Sequence, residues 1–266
     1  MRTVLIACMI ILLFSSPVAC AEKLIIVTSE WFPYVSEDLE DLGFSAEVVT
    51  AAFNAVNIES EIQFMTWKKC ERLVRIGKAF AAVPFTKTDA RTRFAIFSDP
   101  IGTSFSVFFY RKNDLGKLDY ENLADLKKYK ILGGEGYWYK PLFSKNDLNV
   151  DYNLMNEISF KKLYWGLADL VAENQFVGWG LIGRMFPGEQ HLFMSSKSFS
   201  KDTVHLMASK KYPNSKTLLE QFNKGLKIIH SSGIYNNLLE KYEKQELKIK
   251  EDAQTRFRMK MKWNYR

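Results

Sequence analysis

Cysteine is nearly absent from this chain. There are three in 266 residues, and two of them, Cys8 and Cys20, lie in the apolar N-terminal stretch. Cys70 then stands alone, so no internal disulfide can staple the fold, which must rest on its core. A lone buried thiol reads as inert packing. Histidine is as scarce: His191, His205 and His230 are isolated, with no H-E-x-x-H or Cys/His spacing, and a metal site is not expected. No G-K-[ST] follows a glycine turn and no G-x-S-x-G elbow occurs, so neither a phosphate loop nor a hydrolase nucleophile is read, and no cofactor is expected. Beyond Phe14 no apolar run approaches a membrane span.

The N-terminus itself, "MRTVLIACMIILLFSSPVACAEK", has one basic residue, an apolar run from Val4 to Phe14, and then small residues. That is the pattern of a secretory signal over residues 1–21, cleaved after Ala21 to leave an exported chain starting at Glu22. A second reading makes Cys20 a lipidation site, against which Pro17 stands where a bulky aliphatic is usual.

The net charge of +7 raises the question of nucleic acid until it is located. Leu247–Arg266 holds seven basic residues against Glu251 and Asp252, so the folded body is nearly neutral and carries no basic stripe. The tail alternates basic residues with Phe257, Met259, Met261, Trp263 and Tyr265. It reads as an edge strand, a contact for anionic lipid or a partner, or a solvated terminus.

What is present is an α/β pattern. "KLIIVTS" reads as a strand, "GFSAEVVTAAFNAVN" as an amphipathic helix on Phe44, Val48, Ala51/Ala52 and Ala55, and "SEIQFM" as a strand. "WKKCERLVRIG" reads as a helix stopped by Gly77, and "FAAVPF" as a strand. "SFSVFFYRK" is a longer strand that leaves the first unit. A second unit follows, with helices at "YENLADLKKY" and "ISFKKLYWGLADLVAEN" and strands at "KILGG" and "FVGWGLI". "VHLMASKK" leads back, and two helices, "SKTLLEQFNKGLKIIHSSG" and "IYNNLLEKYEKQEL", close the chain. Two α/β units joined by two extended crossings make a hinged bilobal protein with a cleft between lobes. The division expected is lobe 1 at 22–109 and 206–245, lobe 2 at 110–205, and a basic tail at 246–266.

"TDARTRFAIFSDP" places Arg91 and Arg93 just before an apolar strand and turn. Such an arginine is either a solvated loop residue or a planar fork of donors for a carboxylate. The order of motifs bears on the choice. "EWFPY", "GFSAEVV", "TWKK", "TKTDARTRFAIFSDP", "GGEGYW" and "LLEQFNKGLKIIHSSGIYNNLLEKY" resemble, over Lys23 to Tyr242, the bacterial solute-binding proteins of family 3. These are the polar-amino-acid-type periplasmic receptors of ABC importers.

The resemblance implies a type II periplasmic-binding-protein fold, monomeric, that captures a small carboxylate-bearing solute and hands it to an ABC permease. It implies that Arg91 clamps the carboxylate with Thr86 beside it, and that Arg93 is solvated. It places Trp31 as a ring stacked on the ligand and Trp67 against the ligand's side chain. Gly136, Tyr137 and Trp138 fall where the family opens a helix that offers backbone N–H groups, although an ordinary glycine turn reads equally well there. Trp138 and Trp179 are further candidates for the pocket wall.

One departure stands out. The family's late carboxylate, which binds the ligand's ammonium, is missing from "ENQFVGWGLIGR", with no acid between Phe176 and Gly183. Glu30, Glu135 or another acid takes its place, aromatic faces hold the cation, or the ligand has no α-amino group. A detached sensory receptor shares the same fold. An enzyme such as a dehydratase would need Glu135 beside Arg91 as its acid/base group.

Overall fold

The structure, a computed structural model, describes residues 23–153 and 155–242. The expected signal segment, residues 1–21, and the basic tail, residues 246–266, lie outside the described residues. The chain opens with strand β1 (Leu24–Thr28), helix α1 (Phe44–Asn54), strand β2 (Ser60–Phe64), helix α2 (Trp67–Ile76) and strand β3 (Ala81–Thr86). Each choice is local in origin. Gly43 precedes α1 at φ 97°, where a side chain would collide with the Tyr34 carbonyl. Thr66 caps α2 by accepting from Lys69 N, and Gly77 ends it in the left-handed conformation. β1 pairs in parallel with β2 on one side and β3 on the other, as strand–helix–strand connections require.

A single turn, α3 (Asp89–Thr92), and strand β4 (Ala95–Phe97) lead into the long strand β5 (Gly102–Arg111). The second unit holds α4 (Lys112–Leu115), β6 (Ile131–Gly134), α5 (Lys140–Lys145), β7 (Val150–Asn153), α6 (Asn156–Tyr164), β8 (Leu170–Asn174), α7 (Gln175–Met185) and β9 (Phe193–Ser195). Strand β10 (Ser200–Ser209) returns to the first unit, followed by α8 (Ser215–Ser231) and a helix described over 234–242.

The strands form one curled path, β2-β1-β3-β10-β5-β8-β6-β7, with β4 added on β10 and β9 on β5. Two strands are shared by both halves. β10 pairs with β5 from Ser200 to Val204 and then runs on beside β3 and β4. β5 leaves β10 at Ser106 and continues beside β8 and β9. The result is two lobes joined by one antiparallel pair of crossing strands.

Each lobe has its own core. The first is built on Ile26, Val48, Phe53, Phe80, Leu206, Phe222 and Ile229, with α1 packed on α8. The second is built on Phe108, Tyr110, Ile131, Tyr139, Phe143 and Leu170 on one sheet face. On its other face, Phe109, Phe160, Val171 and Leu181 enclose Trp31, Val35 and Ala46 of the first lobe. The lobes therefore touch through buried apolar surface.

Three expected elements differ. "FVGWGLI" is part of helix α7, not a strand. Residues 175–185 coil because Asn174 caps the segment, accepting from Phe176 N at 2.8 Å and Val177 N at 3.1 Å. "ISFKKLYWGLADLVAEN" splits into α6 and β8 at Gly166, whose φ of 70° ends the helix. "YENLADLKKY" holds only a 3-10 turn at Leu123–Leu126, where Asp125 accepts from the backbone N–H groups of Glu121 and Asn122.

Candidate functional site

The site begins with Arg91. The turn α3 is capped by Thr88, whose Oγ1 accepts from Arg91 N at 3.3 Å, and this aims the arginine side chain inward while Arg93 stays exposed. Arg91 is 7% exposed. Its Nε donates to Glu71 Oε2 at 3.3 Å, its Nη1 to the Thr86 carbonyl at 2.9 Å, and its Nη2 to the Gly136 carbonyl at 3.2 Å. Its guanidinium carbon lies 4.7 Å from the centre of the Phe85 ring. Burial pulls its pKa down while Glu71 opposes the shift, and a guanidinium remains charged under both. A guanidinium has five N–H groups; among the described residues, three of Arg91's have protein acceptors.

These groups face a cavity between the lobes. Its first-lobe wall is Trp31, Trp67, Pro84, Phe85, Thr86 and Arg91; its second-lobe wall is Gly136, Tyr137, Trp138 and Asn174; Ser104, Ser106 and Val204 of the crossing strands form the remainder. Trp31 stacks on Tyr34 at 4.7 Å and meets Trp67 edge-on at 6.3 Å. Asn174 Nδ2 donates to Ser104 Oγ at 3.0 Å, while its Oδ1 is occupied by the α7 cap.

Behind the aromatic wall lies Glu173, 1% exposed. It accepts from Trp31 Nε1 at 3.3 Å, from the Tyr137 hydroxyl at 3.0 Å and from Asn174 N at 2.7 Å. Burial pushes its carboxyl up to about 7, with the three donors pulling the other way. The same burial, with Glu173 alongside, raises the Tyr137 and Tyr139 hydroxyls well above the ordinary phenol value. A second hollow shares Trp31, Trp67 and Tyr137 with this cavity and is also bordered by Glu30, Asn156, Glu157 and Arg184. There Arg184 bridges Glu157 to Asp38 of the first lobe at 3.3 and 3.1 Å.

Of the residues singled out from sequence, Arg91, Thr86, Trp31, Trp67, Gly136, Tyr137 and Trp138 come together on the one cavity. Glu135 and Trp179 do not. Glu135 turns to Lys140, 3.9 Å away, and Trp179 packs its ring on Phe109 because α7 is a helix. Glu30 borders the second hollow instead. The expected helix opening at Gly136 is also displaced. α5 starts only at Lys140, and Gly136 presents a carbonyl to Arg91 where an N–H was expected.

Sequence reasoning missed Phe85, Ser104, Ser106, Asn174 and Glu173. The alternation of Ser104 and Ser106 in β5 was a usable signal. Asn174 was a legible helix cap once α7 is read as a helix. His205 is a core residue, bonded to the Ser98 carbonyl at 2.7 Å and to Thr203 Oγ1 at 2.8 Å, with burial lowering its pKa. No cluster suited to a metal occurs among the described residues.

Two α/β lobes, a crossing pair of strands and a cavity between them define a type II periplasmic-binding-protein fold, a class that holds solutes between its lobes. The sequence profile of the bacterial extracellular solute-binding proteins, family 3, matches residues 24–245, and the chain belongs to that family. No curated protein sequence matches it.

Solved structures carry the same fold. A mutant of ArgBP from T. maritima superposes with a TM-score of 0.71 at 22% identity, over 82% of this chain and 94% of that one. An amino acid ABC transporter substrate-binding protein from Streptococcus pneumoniae, bound to L-arginine, gives 0.68 at 20% identity, over 88% and 96%. A histidine kinase sensor domain similar to periplasmic binding proteins gives 0.71 at 15% identity, over 83% and 95%.

Proposed function

We propose that this protein is exported by its N-terminal signal, works in the periplasm as a monomer, and captures a small carboxylate-bearing solute for an ABC importer. The observation that carries the reading is Arg91: a buried guanidinium on the wall of an interlobe cavity, with donors left over after its protein acceptors are counted. Those donors suit a planar anion, and Thr86, Ser104 and Ser106 offer hydroxyls nearby. Trp31, Trp67, Tyr137 and Trp138 supply apolar walls that bury the rest of the solute. The lobes of the proposal are 22–109 with 206–245, and 110–205; the shared strands β5 and β10 support this division.

Binding is favoured over catalysis because Glu135, the acid an enzyme would need beside Arg91, faces Lys140 and does not border the cavity. The fold also serves sensor domains, so delivery needs its own test: uptake of the bound solute by cells with and without the gene.

Thermal unfolding against a panel of carboxylates tests the capture step. A solute at about a hundred times its Kd adds roughly 2.7 kcal/mol to the folded state. The Arg91→Ala protein is expected to fold and to lose that stabilisation. Normal binding by this variant would remove Arg91 from the site.

A further inference from the structure

We infer that the solute of this cavity is a carboxylate with an apolar body and no ammonium group; the inference rests on the reading of Arg91 as the carboxylate anchor. An ammonium brought into a closed cleft needs an anion, or at least free acceptors. No anion is present on the walls, and the free acceptors there are hydroxyls, which donate as readily as they accept. Among the described residues, no aspartate or glutamate borders the cavity.

The carboxylates around it are already engaged: in the adjoining hollow Glu30 accepts from Glu37 N and Glu157 from Arg184. Glu71 accepts from Arg91 Nε and from Arg75 Nη2. Glu135 pairs with Lys140. Glu173 is turned away behind Trp31 and Tyr137 and accepts from both, as well as from Asn174 N. An ammonium reaching for Glu173 would have to displace those donors and leave them buried without acceptors. Burial also holds that carboxyl up at about 7, so part of the population carries no charge near neutral pH.

Several neutral acceptors on the walls are already engaged. The Thr86 and Gly136 carbonyls both accept from Arg91. Asn174 Oδ1 accepts the two N–H groups that start α7, and Ser104 Oγ accepts from Asn174 Nδ2. What remains on the walls is the Thr86, Ser104 and Ser106 hydroxyls and one buried positive charge. An amino acid would add a second positive charge beside Arg91 with no anion on the walls to balance it, whereas an amine-free acid brings only the anion. The aromatic walls then take its apolar body.

Isothermal titration of the purified protein with matched pairs tests this. The pairs are 3-phenylpropionate with L-phenylalanine, glutarate with L-glutamate, and 5-guanidinopentanoate with L-arginine; glycine betaine probes a cation held by ring faces alone. The expected result is at least one pair in which the amine-free acid binds at least about tenfold tighter, with binding lost in Arg91→Ala. Asn174→Asp, which keeps an oxygen to cap α7 while placing an acid on the wall, is expected to move that ratio about tenfold toward the amino acid.

If amino acids or betaine bind as well as or better than the amine-free acids, and need Arg91, the inference falls and the anchor stands. A ratio unchanged by Asn174→Asp also overturns the inference. Binding that survives Arg91→Ala, or no heat from any acid, removes the anchor and the inference together.

Discussion

The indole Nε1 of Trp31 in the first lobe donates to Oε1 of Glu173 in the second, 3.3 Å away and 142 residues along the chain. The bond ties the lobes through a fully buried carboxylate. Folding lifts the Glu173 pKa from 4.5 to about 7. The folded state then holds more protons than the unfolded one between those values, so stability is greatest below the lower value and falls as pH rises through the upper. The wild type should lose roughly 3 kcal/mol across that window from this group alone. Glu173→Gln should remove that part of the slope. Urea unfolding at several pH values between 5 and 8 measures both; an equal slope in the variant would show that another group titrates.

Arg91→Lys isolates the fork from the charge. Lysine keeps the cation but presents a point charge, not a planar set of donors, and cannot serve Glu71, Thr86 and Gly136 together. Stability should drop by about 1 kcal/mol, and affinity for a bound carboxylate by tenfold or more. Calorimetric titration decides; unchanged affinity would mean that charge alone holds the ligand.

Much of the first lobe was readable from pattern, because helix and strand periods were clear and Gly77 and Thr66 are ordinary stop and cap signals. Helix α7 was not. A seven-residue apolar run fits a buried strand as well as a helix, and period alone does not separate them. Gly178 is there because the Phe109 ring occupies the space a side chain would take. That misreading hid Asn174 as a cap and sent the search for a carboxylate past Glu173. The Trp31–Glu173 contact itself had no local signature, since its partners meet only when the lobes do.

Gly225 offers a sharper packing test. A Cβ there would lie 1.8 Å from the carbonyl oxygen of Ala52, where α8 crosses α1. Backbone cannot yield as a flexible side chain does, so Gly225→Ala should destabilise the protein by more than about 2 kcal/mol. Chemical denaturation measures the loss; an alanine tolerated without cost would mean that the helices move apart freely.

Cys70 should be inert. It is fully buried, with its thiol donating to the Thr28 carbonyl at 3.1 Å, and burial pushes its pKa up to about 12. A thiol-specific reagent at pH 8 should label it only after denaturant is added. Rapid labelling of the native protein would reveal opening of the first lobe.

The crossing pair of strands has a mechanical consequence. Ser104 and Ser106 belong to the stretch where β5 and β10 hold the lobes together, and both also border the cavity. A solute lodged against them presses close to the fulcrum, while Asp38 and Arg184 meet elsewhere along the seam. Small adjustments beside the serines would be magnified along the length of each lobe, as at the short end of a lever. The occupant would then set the gape of the whole molecule from the point where least travel is needed.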